Sequence, residues 1–423
     1  MLKNYLKIAI AVLLRRKFLT FVNLFGTVLT LTVLVVAFAI YESFVHPGGA
    51  QHRYDRILAI DSVSLLKLGQ NHWIGGPGGM FFTQYVKPLR TPDLISLVTQ
   101  PRTGTSYVDG RKLTMQVRFT DAAYWQILDF GLRAGRVLAP DDIDTGRSVA
   151  VVNEATADAW FPGQAAVGRS IVIDSHSYEV VGVVRNEPET SRLSYADVWV
   201  PLTALETRAY EQEWMSGNQI LLYVNDPAKR AAVREELAAR VKRFEVNPDP
   251  VRYNTLRAYA TTPIEDMALR ARAAAKSPGP GDDPQADHYV AGFLAAATVV
   301  ALLFMALPAV NMINLNVGRM MERAPEIGLR KAAGAPTRAL VGQFIFENLV
   351  LATLGGLISL ALAPLILGIV NGVLRYGQLR LSVPVLVAGL IFVAIFGVLS
   401  GAYPAWKMAR LDPAAALKGQ RYV

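Results

Sequence analysis

Residue types that often perform catalysis or bind metals are present in this sequence, but their spacing matches no catalytic motif. The chain has no cysteine, and no GxSxG segment marks a serine nucleophile. The histidines show no HExxH pattern and no close acidic partner; they are His46, His52, His72, His176 and His288. We therefore expect no catalytic residue, no metal site and no cofactor bound by this chain.

A glycine-rich run, WIGGPGGMFF at residues 73–82, is the nearest approach to a phosphate-binding loop. It lacks the lysine and the hydroxyl residue of the GxxxxGK[ST] motif, so a nucleotide site is not indicated. Two interpretations remain: an exposed apolar tip that contacts substrate or membrane, or a flexible turn before a buried strand. We favour the turn.

A more informative segment is ERAPEIGLRKAAGA, at residues 322–335. Pro325 suits the first position of a helix, and Glu326 lies in the first turn, where the helix dipole favours an acid. Glu326 and Arg330 are spaced for a favourable i, i+4 ion pair, and Gly334 is a stop signal. The pattern predicts a short, capped helix that exposes charge for contact with another protein. The alternative is a solvated connector.

One acid and several glycines lie within the long apolar segments whose bounds are given in the next paragraph. Glu347 is the only acid in these segments. An acid inside a membrane span suggests a function, although capping or snorkelling at the membrane edge remains an alternative. Small residues let helices approach closely, so we expect packing within the chain, with dimerisation as the alternative, at Gly355, Gly356, Gly397 and Gly401, and at the pair Gly368 and Gly372.

These residues are positioned by four long apolar segments. They cover residues 18–40, 289–313, 341–370 and 383–405, and the mean hydropathy of the chain is +0.28. A helix needs about 20 apolar residues to cross a bilayer, and four such segments exceed what the core of a soluble protein would supply. The first could be a cleaved signal peptide, but its apolar run is longer than usual, so we favour an uncleaved anchor.

The distribution of basic residues predicts the orientation. The N-terminal stretch, the 314–340 loop and the 406–423 tail hold about fourteen Lys and Arg against three acids, so all three should be cytoplasmic. Residues 42–288 then lie outside and carry about three net negative charges. The net charge of +9 is therefore a topology signal rather than a nucleic-acid-binding surface.

The outer segment reads as mixed α/β, in two subdomains with one inserted into the other. Helices are predicted after the cap Thr91-Pro92-Asp93, from Asn153 to Phe161, and from Asp226-Pro227 to Phe244. Strands are predicted at 56–65, 147–152, 170–174, 178–184, 219–224 and 252–259, with the third and fourth forming a hairpin. Residues 277–287, SPGPGDDPQAD, are predicted to be a linker.

We thus predict an α-helical membrane protein with four transmembrane helices and a large extracytoplasmic α/β domain between the first two. The predicted boundaries are a cytoplasmic segment at 1–17, spans at 18–41, 289–313, 341–370 and 383–405, the outer domain at 42–288, a cytoplasmic loop at 314–340, a short outer loop at 371–382 and a cytoplasmic tail at 406–423.

Several motifs resemble one protein family. Residues 311–360 contain ERAPEIGLRKAAGA, then QFIFE and a GG pair, and resemble the FtsX-type permease signature; residues 401–419, GAYPAWKMARLDPAAALKG, are similar to its closing pattern. Residues 124–142, 151–161 and 167–184 resemble the MacB-type periplasmic core. The matches are ordered along most of the chain.

The resemblance implies a membrane subunit of a MacB-type ABC transporter in the bacterial inner membrane. In that family the loop between the second and third spans is the coupling helix, which docks on the ATPase. Carried over to this sequence, the contact residues are Glu322, Arg323, Glu326, Ile327, Arg330 and Lys331, with Gly334 ending the helix. The resemblance also implies mechanotransmission, in which two permeases move their periplasmic domains to push or release substrate.

The same resemblance implies partners. MacB carries a fused ATPase ahead of its first span, whereas this sequence has about seventeen residues there and no Walker A motif, so we expect a separate ATPase to bind ATP and Mg. A second permease copy or paralogue, the lipid bilayer, and a periplasmic adaptor with an outer-membrane channel are further expected partners; nucleic acid is not. The 277–287 linker would interrupt a continuous helical stalk, and Ala324-Pro325 replaces a more polar pair.

Three functions remain open at this point. The first is export or release of a substrate such as a peptide, lipopeptide or drug. The second is extraction of lipoproteins, as the resemblance to LolC and LolE allows. The third is FtsX-like control of cell-wall hydrolases without transport, which the large outer domain disfavours.

Overall fold

A computed structural model describes two units. The described residues are 17–45, 49–67, 70–108, 110–205, 209–244, 255–275, 291–300, 333–334, 336–373 and 381–391, with the single positions 303, 329, 379, 394, 395 and 398. The membrane unit comprises the described residues up to Glu42 and from Leu294 onward. The outer unit comprises those between Ser43 and Phe293.

The helices and strands are numbered in chain order. The helices are α1 Lys17–Val45, α2 Gly79–Phe81, α3 Ala122–Ile127, α4 Pro140–Asp144, α5 Glu154–Trp160, α6 Arg230–Val241, α7 Pro263–Ala275, α8 Ala291–Val300 and α9 Thr337–Val373, and residues 383–391 are also helical. The strands are β1 Ile57–Ile60, β2 Val63–Lys67, β3 Gln70–Pro77, β4 Leu94–Thr99, β5 Arg102–Val108, β6 Arg111–Thr120, β7 Leu132–Gly135, β8 Val149–Asn153, β9 Ser170–Ile173, β10 His176–Val184, β11 Val198–Pro201, β12 Met215–Ser216, β13 Asn218–Tyr223 and β14 Thr255–Ala258.

Two described helices are long and apolar enough to cross a membrane. They contain the spans Thr20–Ser43 and Val341–Val373, of which about a third is buried. Two threonine hydroxyls within α1 donate to carbonyls one turn back, Thr30 to Gly26 at 2.8 Å and Thr32 to Val28 at 2.7 Å, so both are satisfied within an apolar helix. The predicted spans at 289–313 and 383–405 are described only in part, and the count of four stays a prediction.

In the membrane unit, α1 and α9 approach closely at small residues. Leu31 and Ala352 form a buried contact, and a Cβ added to Gly355 would lie 2.8 Å from Cγ2 of Thr27. At the end of α9, the Asn371 side chain binds both backbone groups of Leu379 at 2.9 Å. Nearby in sequence, Ser382 donates to the carboxylate of Glu42.

The described strands of the outer unit form three sheets. The first has the order β1-β13-β4 and is antiparallel, and the second has the order β12-β3-β2-β14. The third is a mixed sheet with the order β5-β6-β11-β8-β10-β7, in which β9 also pairs with β10. Its parallel pairs are β6 with β11 and β8 with β10.

The mixed sheet is inserted between two adjacent strands of the first sheet. All of its strands lie between residues 102 and 201, whereas β4 and β13 flank that stretch and pair in full register, from Leu94 opposite Tyr223 to Thr99 opposite Asn218. The predicted insertion corresponds to this topology, while the domain boundaries stay predictions.

Two buried clusters hold these sheets. The larger joins Phe81, Phe119, Trp160 and Ile220 from all parts of the outer unit. The other is aromatic, with ring centroids of Trp125 and Phe130 4.9 Å apart and those of Phe130 and Trp199 5.3 Å apart. Full burial of each such side chain contributes about 1.5–3 kcal/mol, so the clusters are large enough to stabilise a chain without disulfides.

Most predicted elements of the outer unit are confirmed. Asn153 ends β8 and caps α5, since its side chain accepts a 2.8 Å hydrogen bond from the Thr156 amide. The hairpin of β9 and β10 turns at Asp174 and Ser175, which both have positive φ. Asp226 caps the turn that leads into α6.

The helix predicted after Thr91-Pro92-Asp93 is wrong, because residues 94–99 form strand β4. Asp93 accepts a 2.7 Å hydrogen bond from the Asn225 amide rather than capping a helix. The β-branched residues and the full register with β13 outweigh the local capping signal.

The predicted strand at 56–65 is also wrong as a single element. Asp61 and Ser62 separate β1 from β2, which belong to different sheets.

The glycine-rich run begins in a strand rather than in the predicted turn, while contact of its exposed Ile74 with substrate or membrane stays a prediction. Residues 70–77 form strand β3, and the chain then enters α2 and a π-helix at Phe82–Val86, with Phe81 fully buried. A Cβ on Gly76 would lie 2.5 Å from the carbonyl oxygens of Ser216 and Asn218. These glycines therefore permit close approach of backbones within a sheet.

A buried aspartate fixes the loop that leads into α4. Asp142 has a 1% exposed side chain and accepts hydrogen bonds from Arg136 and, at 2.9 Å, from the Ala139 amide. Hydrogen bonding to Arg136 holds the pKa of Asp142 below its usual value.

We expect Asp142→Asn to destabilise the protein by about 1–2 kcal/mol, since Arg136 is half exposed and its ion pair is screened by solvent. Because the folded pKa is lowered, the stabilisation by Asp142 is complete above the unfolded carboxyl pKa of about 3.9 and is lost as the pH falls from there. Thermal unfolding of the full chain in detergent between pH 3 and 7 (about the range of carboxyl titration) measures this. The variant should show a smaller stability loss on acidification than the wild type, and exposed Asp141→Asn is the control.

Candidate functional site

The predicted coupling helix is described at only a few positions. The Ala333 amide donates a 2.9 Å hydrogen bond to the Leu329 carbonyl, and Gly334 follows with φ +88°. This is a helical bond followed by a left-handed glycine, the geometry of a helix end. Leu329 is 62% exposed. The other predicted contact residues lie outside the described residues; they are Glu322, Arg323, Glu326, Ile327, Arg330 and Lys331.

Glu347 is buried within α9, with 7% of its surface exposed. It lies about three turns beyond the helix start at Thr337, too far to cap it. Gln343, one turn earlier, donates a 3.1 Å hydrogen bond to its Oε1, and Asn348 beside it is also buried. Glu347 is thus a buried polar side chain on an otherwise apolar helix, and its function stays a prediction.

The predicted packing glycines divide into three groups. Gly355 and Gly356 are buried, and Gly355 faces Thr27 of α1 as described above. Among the described residues, a Cβ on Gly368 or Gly372 would meet nothing within 4 Å. Gly397 and Gly401 lie outside the described residues.

The outer unit contains a polar site that the sequence analysis did not predict. It joins three segments: the N-terminal arm (residues 49–61), which follows α1 in the chain; the C-terminal arm (residues 258–267), which leads into α7; and the clamp loop (residues 187–194). We call these segments together the junction. In the sequence, the N-terminal arm follows the first membrane helix, and the C-terminal arm precedes the predicted span at 289–313.

Glu187 connects the clamp loop to the N-terminal arm. Its side chain is buried and accepts hydrogen bonds from the Ala50 amide at 3.1 Å and the Ser194 hydroxyl at 2.8 Å. Gln51 in turn donates to the Ser194 oxygen at 2.9 Å. Gly49 has φ +64°, which favours glycine, and a Cβ there would lie 2.8 Å from Oε1 of Glu187, so a larger residue would displace that carboxylate. Burial raises the pKa of Glu187, against the lowering effect of these hydrogen bonds.

The two arms bond directly to each other. Ala59 and Thr261 exchange both backbone hydrogen bonds, at 2.8 and 2.9 Å, as an antiparallel bridge. Glu265 then caps the start of α7 by accepting from the Thr262 amide at 2.7 Å, and it also pairs with Arg234 of α6 at 2.5 Å. The start of α7 is therefore fixed to both β1 and α6.

Arg118 of β6 anchors the clamp loop to the mixed sheet. It is fully buried and donates 2.7 Å hydrogen bonds to the carbonyls of Arg192 and Leu193, and a 3.3 Å bond to Gln219. Gln219 of β13 donates to Asp61, at the end of the N-terminal arm. A chain of hydrogen bonds therefore runs from the mixed sheet through the clamp loop and β13 to the arm.

A cavity of about 200 Å³ lies between the three segments. Residues lining it include Gln51, Asp61, Arg192, Leu193, Thr262 and Met267. Arg192 and Asp61 approach each other to 4.0 Å. Among the described residues no cluster of His, Cys, Asp or Glu could hold a metal ion. The hydrogen bonds around this cavity hold the three segments of the junction together.

Sequence reasoning missed Arg118 and Glu187 for a physical reason. Arg118 lies in a strand where alternation gives no sign that an arginine is buried, and Glu187 lies in a polar stretch that reads as an exposed loop. Their partners are distant in sequence, 75 residues for Arg118 and Leu193 and 137 for Glu187 and Ala50. Only the tertiary fold brings these groups together.

Two family models match the chain in order. The MacB-like periplasmic core domain matches residues 20–240, and the FtsX-like permease C-terminal matches residues 298–413. The first match alone covers more than half of the chain.

Curated relatives of the chain are also named as permeases. The macrolide export ATP-binding/permease protein MacB of Syntrophobacter fumaroxidans is 26% identical over 71% of this chain and 46% of the relative. The MacB of Salmonella paratyphi A is 23% identical over 93% of this chain and 58% of the relative. The ABC transporter permease YvrN of Bacillus subtilis is 23% identical over 72% of this chain and 70% of the relative. The chain spans about half the length of the MacB relatives.

Solved structures of similar proteins match about half of the chain, with low TM-scores. The periplasmic region of MacB from Actinobacillus actinomycetemcomitans aligns with a TM-score of 0.35 at 14% identity, covering 53% of this chain and 94% of that one. At this TM-score the likeness adds nothing to the assignment. From the two ordered family matches, the chain belongs to the MacB/FtsX-type family of ABC transporter permeases, which are inner-membrane proteins with a periplasmic domain.

Proposed function

We propose that this chain is the permease subunit of a MacB-type transporter, in which a separate cytoplasmic ATPase drives movement of the outer unit to export or release a substrate. The observation that carries the proposal is that both arms of the outer unit are bonded to each other and to its sheets. A displacement of α1, which precedes the N-terminal arm in the chain, would then reach the whole unit. A macrolide is the first substrate to test, because the MacB relatives are named for macrolide export.

In this proposal both termini are cytoplasmic and the 314–340 loop docks on the ATPase, which binds ATP and Mg. A second copy or paralogue completes the transporter, and a periplasmic adaptor with an outer-membrane channel would extend it across the envelope. The exposed Leu329 and the helix end at Gly334 support a docking helix in this loop. This chain supplies movement and no catalytic group.

Purification from the native membrane in mild detergent, followed by mass spectrometry, tests the proposal. We expect an ATP-binding subunit, with a periplasmic adaptor if the system spans the envelope. Co-purified lipoproteins would instead favour lipoprotein extraction, and a cell-wall hydrolase would favour FtsX-like regulation. Absence of any ATPase under conditions that keep other membrane complexes intact would contradict the proposal.

Reversal of one charge tests the docking loop. We expect Glu326→Lys to weaken association with the ATPase at least about tenfold, since a like charge at a complementary contact opposes binding. Membrane insertion should not change. Asp412→Lys in the predicted cytoplasmic tail is the matched control and should associate normally. Equal association of the two variants, measured by quantitative pull-down, would show that Glu326 is not at the interface.

A further inference from the structure

The two arms of the outer unit have no independent freedom in the structure. The N-terminal arm contains β1, which pairs along its length with β13, and its Ala59 is bridged to Thr261 of the C-terminal arm. The Thr261 hydroxyl also donates to the Ala59 carbonyl at 3.3 Å. Separating the arms would therefore require breaking hydrogen bonds that are mostly buried.

The first residues of the N-terminal arm are held differently. Residues 49–51 form a short 3-10 helix outside any sheet, and their contacts with the clamp loop run through Glu187 and Ser194. The Ala50 carbonyl also accepts a 3.1 Å bond from the Asp129 amide. Glu187 alone among these groups is a buried carboxylate that contacts the arm, and it fills the space left by Gly49.

Arg118 of the mixed sheet in turn fixes the clamp loop, because its guanidinium donates hydrogen bonds to two carbonyls of the loop. Tyr124 donates a further 2.9 Å hydrogen bond to the Leu193 carbonyl. The connection therefore runs from Ala50 through Glu187 and the clamp loop to Arg118 in the mixed sheet.

We infer that the junction moves as one rigid element during the transport cycle, and that Glu187 is the positioning residue that ties the N-terminal arm to it. This inference rests on the proposed function. Movement of α1 would then reach the mixed sheet through Glu187, and not only through the β1–β13 pairing. Loss of Glu187 should uncouple movement from ATP hydrolysis without stopping hydrolysis.

A disulfide across the arms tests the rigid element. The chain has no cysteine, so Ala59→Cys combined with Thr261→Cys introduces a single pair. A hydrogen-bonded antiparallel pair has a Cα separation of about 5.5 Å, which suits a disulfide. In the complete complex in nanodiscs, the oxidised and reduced forms should show the same ATP-driven movement. Movement that stops on oxidation and returns on reduction would overturn the inference, because the arms would then have to separate.

Glu187 is tested with a matched pair of variants. Glu187→Gln keeps the shape and can still accept from the Ala50 amide, whereas Glu187→Ala removes both contacts. Movement is read as the change in distance between spin labels on a cysteine at position 107, exposed in the structure, in the two permease copies of the complex, when ATP and vanadate trap it. We expect Glu187→Ala to keep its ATPase rate within about twofold and to lose most of the distance change, and Glu187→Gln to retain both. A full distance change in folded Glu187→Ala would overturn the inference.

If Glu187→Ala does not fold, Gln51→Leu replaces it, since this substitution removes only the 2.9 Å contact to Ser194. If Gln51→Leu partly loses the ATP-driven change in distance, the inference is supported; if it shows the full wild-type change, the inference is overturned.

The wild-type complex distinguishes failure of the proposed function from failure of the inference. With no ATP-driven change in the wild type, the proposed function itself fails, whereas a normal wild type with an oxidation-sensitive cysteine pair contradicts only the rigid junction.

Discussion

Replacing Arg118 by alanine is expected to destabilise the outer unit by about 3–5 kcal/mol, the largest effect of any single substitution proposed here. The side chain is fully buried, so its removal leaves a cavity. It also leaves the Arg192 carbonyl and the Gln219 amide oxygen without their donor. For a unit of this size we expect a fall of roughly 6–20 °C in the midpoint of thermal unfolding.

A second substitution separates packing from hydrogen bonding. Arg118→Met keeps most of the volume and relieves the cost of burying a charge, so its loss should be smaller, about 1–3 kcal/mol. Arg111→Met, on the exposed start of the same strand, should change stability by less than about 0.5 kcal/mol. Tryptophan fluorescence of the full chain in detergent is a suitable probe, because Trp125 and Trp199 lie in the aromatic cluster. Wild-type stability of Arg118→Met would mean that anchoring of the clamp loop contributes nothing.

Gly78→Ala is expected to destabilise the outer unit by about 3 kcal/mol. Gly78 has an ordinary φ of −90°, so the backbone conformation is not the obstacle. A Cβ would lie 2.0 Å from the Glu213 carbonyl oxygen and 2.7 Å from the Trp214 carbonyl carbon, and both atoms belong to backbone that cannot rotate away. The hydrogen bond from the Gly78 amide to the Trp214 carbonyl, at 2.9 Å, would have to lengthen or break.

Gly217→Ala is the matched control for this prediction. It directly follows β12, which pairs with the glycine-rich strand, yet a Cβ there would meet none of the described residues within 4 Å. We expect a change within about 0.5 kcal/mol. The same thermal unfolding measurement compares the two. Equal stability of both variants would show that the close approach at Gly78 is relieved at little cost.

Local signals in the sequence predicted much of the outer unit correctly. The cap at Asn153 and the helix after Asp226 each depend on a side chain that bonds within a few residues of itself, and the hairpin around Ser175 depends on a short turn with positive φ. Such contacts form wherever the segment is placed, so they can be read from the sequence. Residues 94–99 show where such local signals fail. The preceding residues are of the types that cap a helix, but pairing with the distant β13 makes this segment a strand.

Motif and spacing predicted both the coupling loop and the glycine pairs, and the structure describes one of these glycines in a helix contact. Gly355 packs closely against Thr27 of α1. Such a contact can be predicted from the sequence because small residues at helical spacing let two helices approach each other. The contact residues from Glu322 to Lys331 stay predictions, because binding to an ATPase depends on a surface outside this chain.

By itself, the sequence determined the class of protein: apolar segments long enough to cross a membrane, an α/β outer segment, and ordered motifs of the MacB/FtsX type, because these depend on composition and on local spacing. The tertiary structure alone decided the insertion of the mixed sheet between β4 and β13 and the assembly of the junction. A buried arginine such as Arg118 is stable only where distant carbonyls converge on it, and no short-range pattern encodes that convergence.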